Sequence, residues 1–236
     1  MDYKDYASGL RANNFWFYRK TEFIGILLEK LKLNKNIKIL NIGAGTGNDI
    51  ETIKKFGQIS VLDIDKKVLD LIPNNLVKEK VIADACNLPF DNNSFDLVVS
   101  FDVLEHIKND NQAVLEIKRV LKFNGLFVFT VPAYNFLFSS HDRYLEHFRR
   151  YNKKQIQKLL NSFDKIELGN WFFTLFLPIS VHRLINKNNN YKLIKISKIT
   201  DFFGNKILKL ENLLFKYGIK YPIGLSFYGI YKKKNN

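Results

Sequence analysis

The spacing of apolar positions changes along the chain, and the changes predict its elements. From residue 14 to 33 the segment NFWFYRKTEFIGILLEKLKL places Phe15, Phe23, Ile26, Leu27 and Leu31 three and four apart, the period of a helix with one buried stripe. From residue 37 onward the apolar residues gather instead into short runs: Ile37 to Ile42, Ile59 to Ile64, Val81 to Ala83, Leu97 to Phe101 and Leu126 to Val131. The segments between them predict helices over 48–56, 66–71 and 110–122. Runs that are apolar throughout, without alternation, belong to strands covered on both faces, and strands alternating with helices build parallel βαβ units. The predicted fold is therefore α/β with a doubly wound sheet. Asn152 is placed to cap a helix over 153–162, Ile166 to Phe173 reads as a further strand, and Leu225 to Tyr231 as the last, ahead of a basic KKKNN tail. No internal repeat is visible.

Between the last two strands lies an insertion of different character. WFFTLFLPISV holds an apolar run far shorter than the roughly 20 residues that cross a bilayer. Residues 197–217 set Ile199, Phe202, Phe203, Ile207, Leu210, Leu214 and Tyr217 on one stripe, with Lys198, Lys206, Lys209 and Lys216 largely elsewhere. A basic amphipathic helix of this kind either lies in a membrane interface or packs its stripe on the sheet or on a second subunit.

At 236 residues, 46% of them hydrophobic and 14% aromatic, the chain is expected to form one folded domain, and a disordered protein is excluded. The expected organisation is a helical cover over 1–36, a core over 37–173, a basic helical insertion over 174–223, and the last strand and tail over 224–236. Charge is unevenly distributed. Residues 1–150 carry 21 Lys and Arg against 19 Asp and Glu, a balance of +2, whereas residues 151–236 carry 16 against 4, a balance of +12. A basic end of this strength suits nucleic acid, an anionic membrane surface or a phosphorylated substrate. Cys86 is the one cysteine, which excludes an intrachain disulfide framework and fits a reducing compartment. The first residues lack the basic-then-apolar pattern of a secretory signal, so the expected location is cytoplasmic, with peripheral contact at a membrane as an option.

Candidate chemistry begins at NIGAGTGND, directly after the first strand. Glycines let the backbone turn and approach a ligand closely, and free amides at a helix start attract negative charge. Gly43, Gly45 and Gly47 give GxGxG, and Asn48 stands where the dinucleotide fingerprint requires its third glycine, which disfavours NAD. Asp63 ends the second strand, where a carboxylate can accept two ribose hydroxyls, or cap a helix. Asp84 follows the third strand, where it can accept from an adenine amino group, or turn the chain.

LNIGAGTG, VLDID, ADACNLPFDNNSFDLVVS and FDVLEHI, in that order, resemble the class I S-adenosylmethionine-dependent methyltransferases, especially the type-11 group that includes quinone-biosynthesis enzymes. The resemblance covers about residues 37–135. It implies a Rossmann-like, mostly parallel seven-stranded sheet with a reversed last strand, and S-adenosylmethionine lying across the strand carboxyl ends and leaving as S-adenosylhomocysteine. On this chain it implies that Gly43, Ala44, Gly45 and Gly47 line the methionine portion, Asp63 and Ile64 the ribose, and Asp84 and Ala85 the adenine, with Phe101 at the end of the fourth strand also in the cofactor set. Asn41 stands where the family usually has an acid before the glycine loop.

An alcohol or phenol acceptor must lose a proton, work suited to histidine near neutral pH. His106, in FDVLEHI, sits past the fourth strand and reads as an acceptor base or as a hydrogen-bonded helix-start residue; its neighbour Glu105 can orient His106, touch the cofactor or, the preferred reading, be a first-turn acid favoured by the helix dipole. HDRYLEHFRRY, residues 141–151, follows the fifth strand and resembles a segment of one type-11 branch. That likeness makes His141 or His147 an acceptor base and puts Arg149, Arg150 and Tyr151 at the acceptor, the arginines gripping an anionic group such as phosphate. The plain alternative is a solvated helix with Glu146 and Arg150 paired at i,i+4. On a helix His141 and His147 would lie about 240° apart, so no metal site is expected from them. The acceptor expected is a small molecule or a glycan- or lipid-linked compound, phosphorylated or not, that is methylated on oxygen. An RNA methyltransferase and a non-catalytic cofactor-binding subunit are the alternatives, nucleic acid being disfavoured because FDVLEH lacks the Asn/Asp-Pro-Pro-aromatic segment of base N-methylation.

Overall fold

The computed structural model describes residues 14–188 and 197–234. Seven strands form one sheet in the order β3-β2-β1-β4-β5-β7-β6. They are β1 (Ile37–Ile42), β2 (Gly57–Asp63), β3 (Glu79–Ile82), β4 (Phe95–Phe101), β5 (Leu121–Pro132), β6 (Phe163–Trp171) and β7 (Ser226–Lys233). The first five run parallel, while β7 is antiparallel to both β5 and β6. The helices are α1 (Phe15–Glu29), α2 (Ile50–Ile53), α3 (Lys66–Asp70), α4 (Asp110–Val120), α5 (Ser140–Tyr144), α6 (Lys153–Leu159), α7 (Phe176–Ile185) and α8 (Lys198–Lys216). Strand order reverses between β1 and β4, and at such a switch point the carboxyl ends of an open sheet leave a crevice.

Adjacent residues of one strand point to opposite faces, and both faces are apolar here. Ile39, Val61, Leu97 and Val99 meet α1, α2 and α8 in one core. Their neighbours Leu40, Leu62 and Val98 meet Val114 and Ile117 of α4 and Ile156 of α6 in the other. This is why the strand runs in the sequence lack alternation. Asn14 caps α1 by accepting from the amides of Trp16 and Phe17, and Asn152 forms a capping box with Gln155 at the start of α6.

Two sequence expectations are corrected, and one open alternative is narrowed. The helix expected over 110–122 ends at Val120, where β5 begins without a loop; Leu121 pairs with Phe95 before the chain bulges and resumes pairing at Leu126 with Leu97. The strand expected to reach Phe173 stops at Trp171 because Phe172 adopts φ 62°. The apolar stripe named on α8 does not enter the core. The buried face is Gly204, Leu208, Glu211, Asn212 and Phe215, and Ile199, Phe202, Phe203, Leu210 and Tyr217 stay exposed.

The reason is polar. Asn212 accepts from the Trp171 indole (2.9 Å) and donates to the Arg19 carbonyl and Glu22. Glu211 accepts from the amides of Phe173 and Thr174 and from the Thr174 hydroxyl. Glu211 satisfies backbone groups left open where β6 ends, and Asn212 ties the Trp171 indole to α1, so the helix face that carries them is held inward.

The fully buried Phe23 ring stacks on Trp171 (centroids 4.4 Å apart) and meets Phe215 and Tyr228, joining α1, α8 and the sheet. Phe23→Ala is expected to lower unfolding free energy by about 3–5 kcal/mol, measured by urea denaturation; a loss under 1 kcal/mol would mean that α1 is dispensable to this core.

Candidate active site

Gly43, Gly45 and Gly47 all take positive φ (69°, 51° and 81°), and a Cβ at position 43 would collide with Val103. The loop is therefore built for residues without side chains. The amides of Gly43 and Ala44 both donate to the Leu62 carbonyl (2.7 and 3.1 Å). Asp63 does more than face a ligand: its Oδ2 accepts from Gly45 N (2.9 Å) and its Oδ1 from Asp65 N (3.1 Å). A carboxylate offers roughly four acceptor positions, so Asp63 clamps the loop and still has capacity for two hydroxyls.

A cavity of about 1150 Å³ opens over the switch point. Gly43, Gly45, Asp63, Ile64, Asp84 and Ala85 line it on the β1–β3 side, and Asp102, His106, Arg143, His147 and Phe148 on the β4 side and after β5. Asp84 is partly occupied, accepting from the Cys86 amide (2.8 Å). Asn41 and Phe101 are buried beneath the cleft, Ala44 is packed on the core, and Gly47 turns the chain against Ile72; none of the four lines the cavity.

Asp102, at φ 57° directly after β4, accepts from Thr130 Oγ1 and pairs with Lys20 Nζ at 2.7 Å. The helix α1 thus reaches the cavity floor. Burial disfavours both charges, yet each is held by the other: the Asp102 carboxyl lies below its ordinary range, and the Lys20 ammonium, with Asp49 adding to the pull of Asp102, lies above its own.

Glu105, expected to be a first-turn surface acid, is 1% exposed, and neither of its carboxylate oxygens has a partner. Burial, then the Asp102 charge, push its carboxyl well above the usual range. His106 shares its single 3-10 turn, Leu104–His106. The ring of His147 packs edge-on against that of His106, with centroids 4.5 Å apart. The segment after α5 is docked onto the turn by Phe148 N donating to the Glu105 carbonyl (2.8 Å). As a result, a carboxylate oxygen of Glu105 and one ring nitrogen each of His106 and His147 lie within 4.8 Å of one another.

Behind His147 stands Asp142, completely buried. Its Oδ1 meets His147 Nδ1 (3.0 Å) and Arg150 Nε (2.7 Å), and its Oδ2 meets Arg183 Nη1 (2.8 Å) and the Ser139 amide (2.9 Å). Burial opposes its charge, but the His147 hydrogen bond and the two arginines hold its carboxyl far below the usual range. An ionised Asp142 can only accept, so Nδ1 of neutral His147 carries the proton and Nε2 the lone pair.

The remaining acceptor-side expectations are corrected. Arg150 is buried on Asp142 and the Ala133 carbonyl. Arg149 is bound to Asp110 (2.7 Å) and the Lys108 carbonyl. Tyr151 is buried, donating to Leu104 O and Asp110, and burial followed by the Asp110 charge raises its phenol. All three brace the wall of the site. His141 lies on α5 and does not line the cavity; burial, then the Arg183 charge, push its imidazole down to about 3. The helix ends at Tyr144 and Glu146 adopts φ 61°, so the i,i+4 pairing of Glu146 with Arg150 does not apply. The cations that do line the cleft are Lys108 and Arg143, which the sequence reading passed over.

Residues 40–129 match the type-11 family described as a methyltransferase domain. An uncharacterized protein of Methanocaldococcus jannaschii is 37% identical over 136 residues, 56% of this chain and 52% of its own. The malonyl-[acyl-carrier protein] O-methyltransferase of Buchnera aphidicola is 34% identical over 121 residues, 50% of this chain and 49% of its own. The chain thus spans about half the length of the curated relatives it matches. Among solved structures, a methyltransferase-like protein of Bacillus halodurans superposes with a TM-score of 0.61 at 19% identity, over 89% of this chain and 97% of its own, a likeness of fold. The match over residues 40–129 supports a class I S-adenosylmethionine-dependent methyltransferase domain of the type-11 group, the family that the motifs resemble.

A histidine whose folded pKa is depressed supports stability fully above its unfolded value of about 6.5 and loses that support as pH falls toward the folded value of about 3. Asp142 acts in the same direction but only below its unfolded value of about 3.9, and Glu105 acts in the opposite one. Comparing wild type with His141→Gln isolates the imidazole. The wild type is expected to lose stability relative to the variant by on the order of 1 kcal/mol per pH unit between pH 6.5 and 4, read from denaturant midpoints; parallel curves would show that His141 is hydrated.

Proposed function

We propose that the protein transfers a methyl group from S-adenosylmethionine to an oxygen of an anionic acceptor, small or lipid- or glycan-linked, that enters beside His106 and His147. The observation that carries this reading is the junction of two halves in one cavity: a glycine cradle clamped by Asp63, and a histidine pair oriented by a buried, ionised Asp142. The cradle fits the nucleoside, since Gly43 and Gly45 line the cleft without side chains and Asp63 keeps acceptor capacity toward it. Gly43 and Gly45 would border the methionine portion, Asp63 the ribose, and Asp84 with Ala85 the base. Bound S-adenosylmethionine supplies an electrophilic methyl and leaves as S-adenosylhomocysteine.

The chain's own work is positioning and proton handling. Methyl displacement needs donor and acceptor in line, and holding them so provides much of the acceleration. The Asp142–His147 pair fixes the ring's tautomer and orientation, and the acceptor hydroxyl is activated at the His106–His147 pair. Lys108 and Arg143 at the cleft can draw in a phosphate or carboxylate.

The surface outside supports an acceptor carried by a lipid. No helix among the described residues is long and apolar enough to cross a membrane. Yet α7 and α8 expose Leu177 (71%), Ile185 (73%), Ile199 (72%) and Phe203 (57%) among lysines. Both acids of α8 are engaged internally, Asp201 by the Phe15 amide and Glu211 at the end of β6. That leaves an apolar and basic face suited to an anionic bilayer surface. Arg183 of α7 reaches Asp142, so this face adjoins the acceptor side.

Isothermal titration is expected to show binding of S-adenosylmethionine, weakened about 10–100-fold in Asp63→Ala; no heat with the wild type would sink the reading. His147→Ala should keep nucleoside affinity and lose transfer of labelled methyl into a membrane-lipid extract, and undiminished transfer would return His147 to a structural role. Flotation should carry the protein with anionic but not neutral vesicles, and Phe202→Glu with Phe203→Glu should abolish it; equal flotation on both vesicle types would remove the membrane from the proposal.

A further inference from the structure

We infer that Glu105, His106 and His147 form a binding site for a divalent first-row transition ion at the acceptor end of the cleft. The inference rests on where the three donors are, and its catalytic meaning rests on the acceptor location proposed above.

A carboxylate that is 1% exposed with both oxygens unpartnered is an anomaly, because buried polar groups are almost always hydrogen-bonded and buried charges paired. Glu105 has two imidazoles beside it, and the donor atoms of the three residues already lie within 4.8 Å of one another. Bonds of about 2.0–2.2 Å to nitrogen and carboxylate oxygen would need only small side-chain rotations to close around one ion. The set comes from two places in the chain, the turn after β4 and the segment after α5, and Phe148 N donating to Glu105 O fixes them together.

The second shell has the form that metal-bound histidines require. A ligating imidazole usually gives its other N–H to a carboxylate, which fixes the tautomer and strengthens the ligand. His147 does this through Nδ1 to Asp142, and Asp142 is held in turn by Arg150 and Arg183. Asp102, on the same cavity wall, adds negative potential. Two imidazoles and one carboxylate suit zinc, manganese, iron or cobalt rather than calcium or magnesium, and they leave coordination positions for an acceptor oxygen. A bound ion there would lower the pKa of a coordinated hydroxyl, supplying the activation assigned to this end of the cleft.

Chelator-treated full-length protein titrated with Co²⁺ is expected to develop visible ligand-field absorption that saturates at one ion per chain. Glu105→Gln keeps the side chain's shape and removes the carboxylate ligand, so it should fold as the wild type does by circular dichroism. It should nevertheless bind Co²⁺ at least about tenfold more weakly, as should His106→Gln. Absence of the absorption in the wild type, or unchanged affinity in both variants, would overturn the site. Titrating S-adenosylmethionine into the same samples separates the two ideas: nucleoside binding without Co²⁺ binding defeats the metal site alone, and Co²⁺ binding without nucleoside binding defeats the methyltransferase reading alone.

Discussion

The architecture of the site depends on one buried anion. Asp142 has no contact with solvent, and an ionised carboxylate in that position is tolerable only if every part of it is satisfied. His147, Arg150, Arg183 and the Ser139 amide do this together. They come from the loop after α5, from the segment leading into α6, from the insertion helix α7 and from the start of α5 itself. Four pieces of chain that share no regular secondary structure are thereby held in one arrangement. Removing a single partner from such a group typically costs several kcal/mol, because the charge left behind is uncompensated.

Glu105 shows the opposite condition a short distance away. Asp142 is overdetermined by its neighbours and stays charged, whereas Glu105 is equally buried and unsatisfied. Two carboxyl groups pushed in opposite directions on either side of a histidine pair are what a site that moves protons or holds a cation needs. Lys20 sets the balance between them from below. By neutralising Asp102 it lessens the repulsion that Glu105 would otherwise feel, and in doing so it gives α1 a role beyond covering the sheet.

The glycine-loop side of the cavity was legible in the sequence, because it is built from local backbone geometry. Three glycines forced into positive φ, and an acid at the end of each of the next two strands, leave a linear trace in NIGAGTG, VLDID and ADAC. The acceptor half was not, because it is built from long-range pairing. Nothing in HDRYLEHFRRY says which arginine will be buried. Arg150 and Arg149 read as cations for an anionic group until Asp142 and Asp110 are brought to them, and nothing local in the sequence sets His147 against His106. The same limit explains α8, where Glu211 and Asn212 anchor the helix through partners far away in the sequence and the apolar stripe faces outward.

The double duty of Asp63 has one more consequence. Since Gly45 and Asp65 are tied to its carboxylate, the loop is held in shape by the protein's own hydrogen bonds. On the reading proposed here, that grip falls on the sugar and the base, the parts a methyl donor still possesses after it has reacted. A cradle of this kind discriminates poorly between fresh and spent donor, so the rate in a cell would follow the ratio of the two, and the enzyme would slow whenever the spent form accumulates.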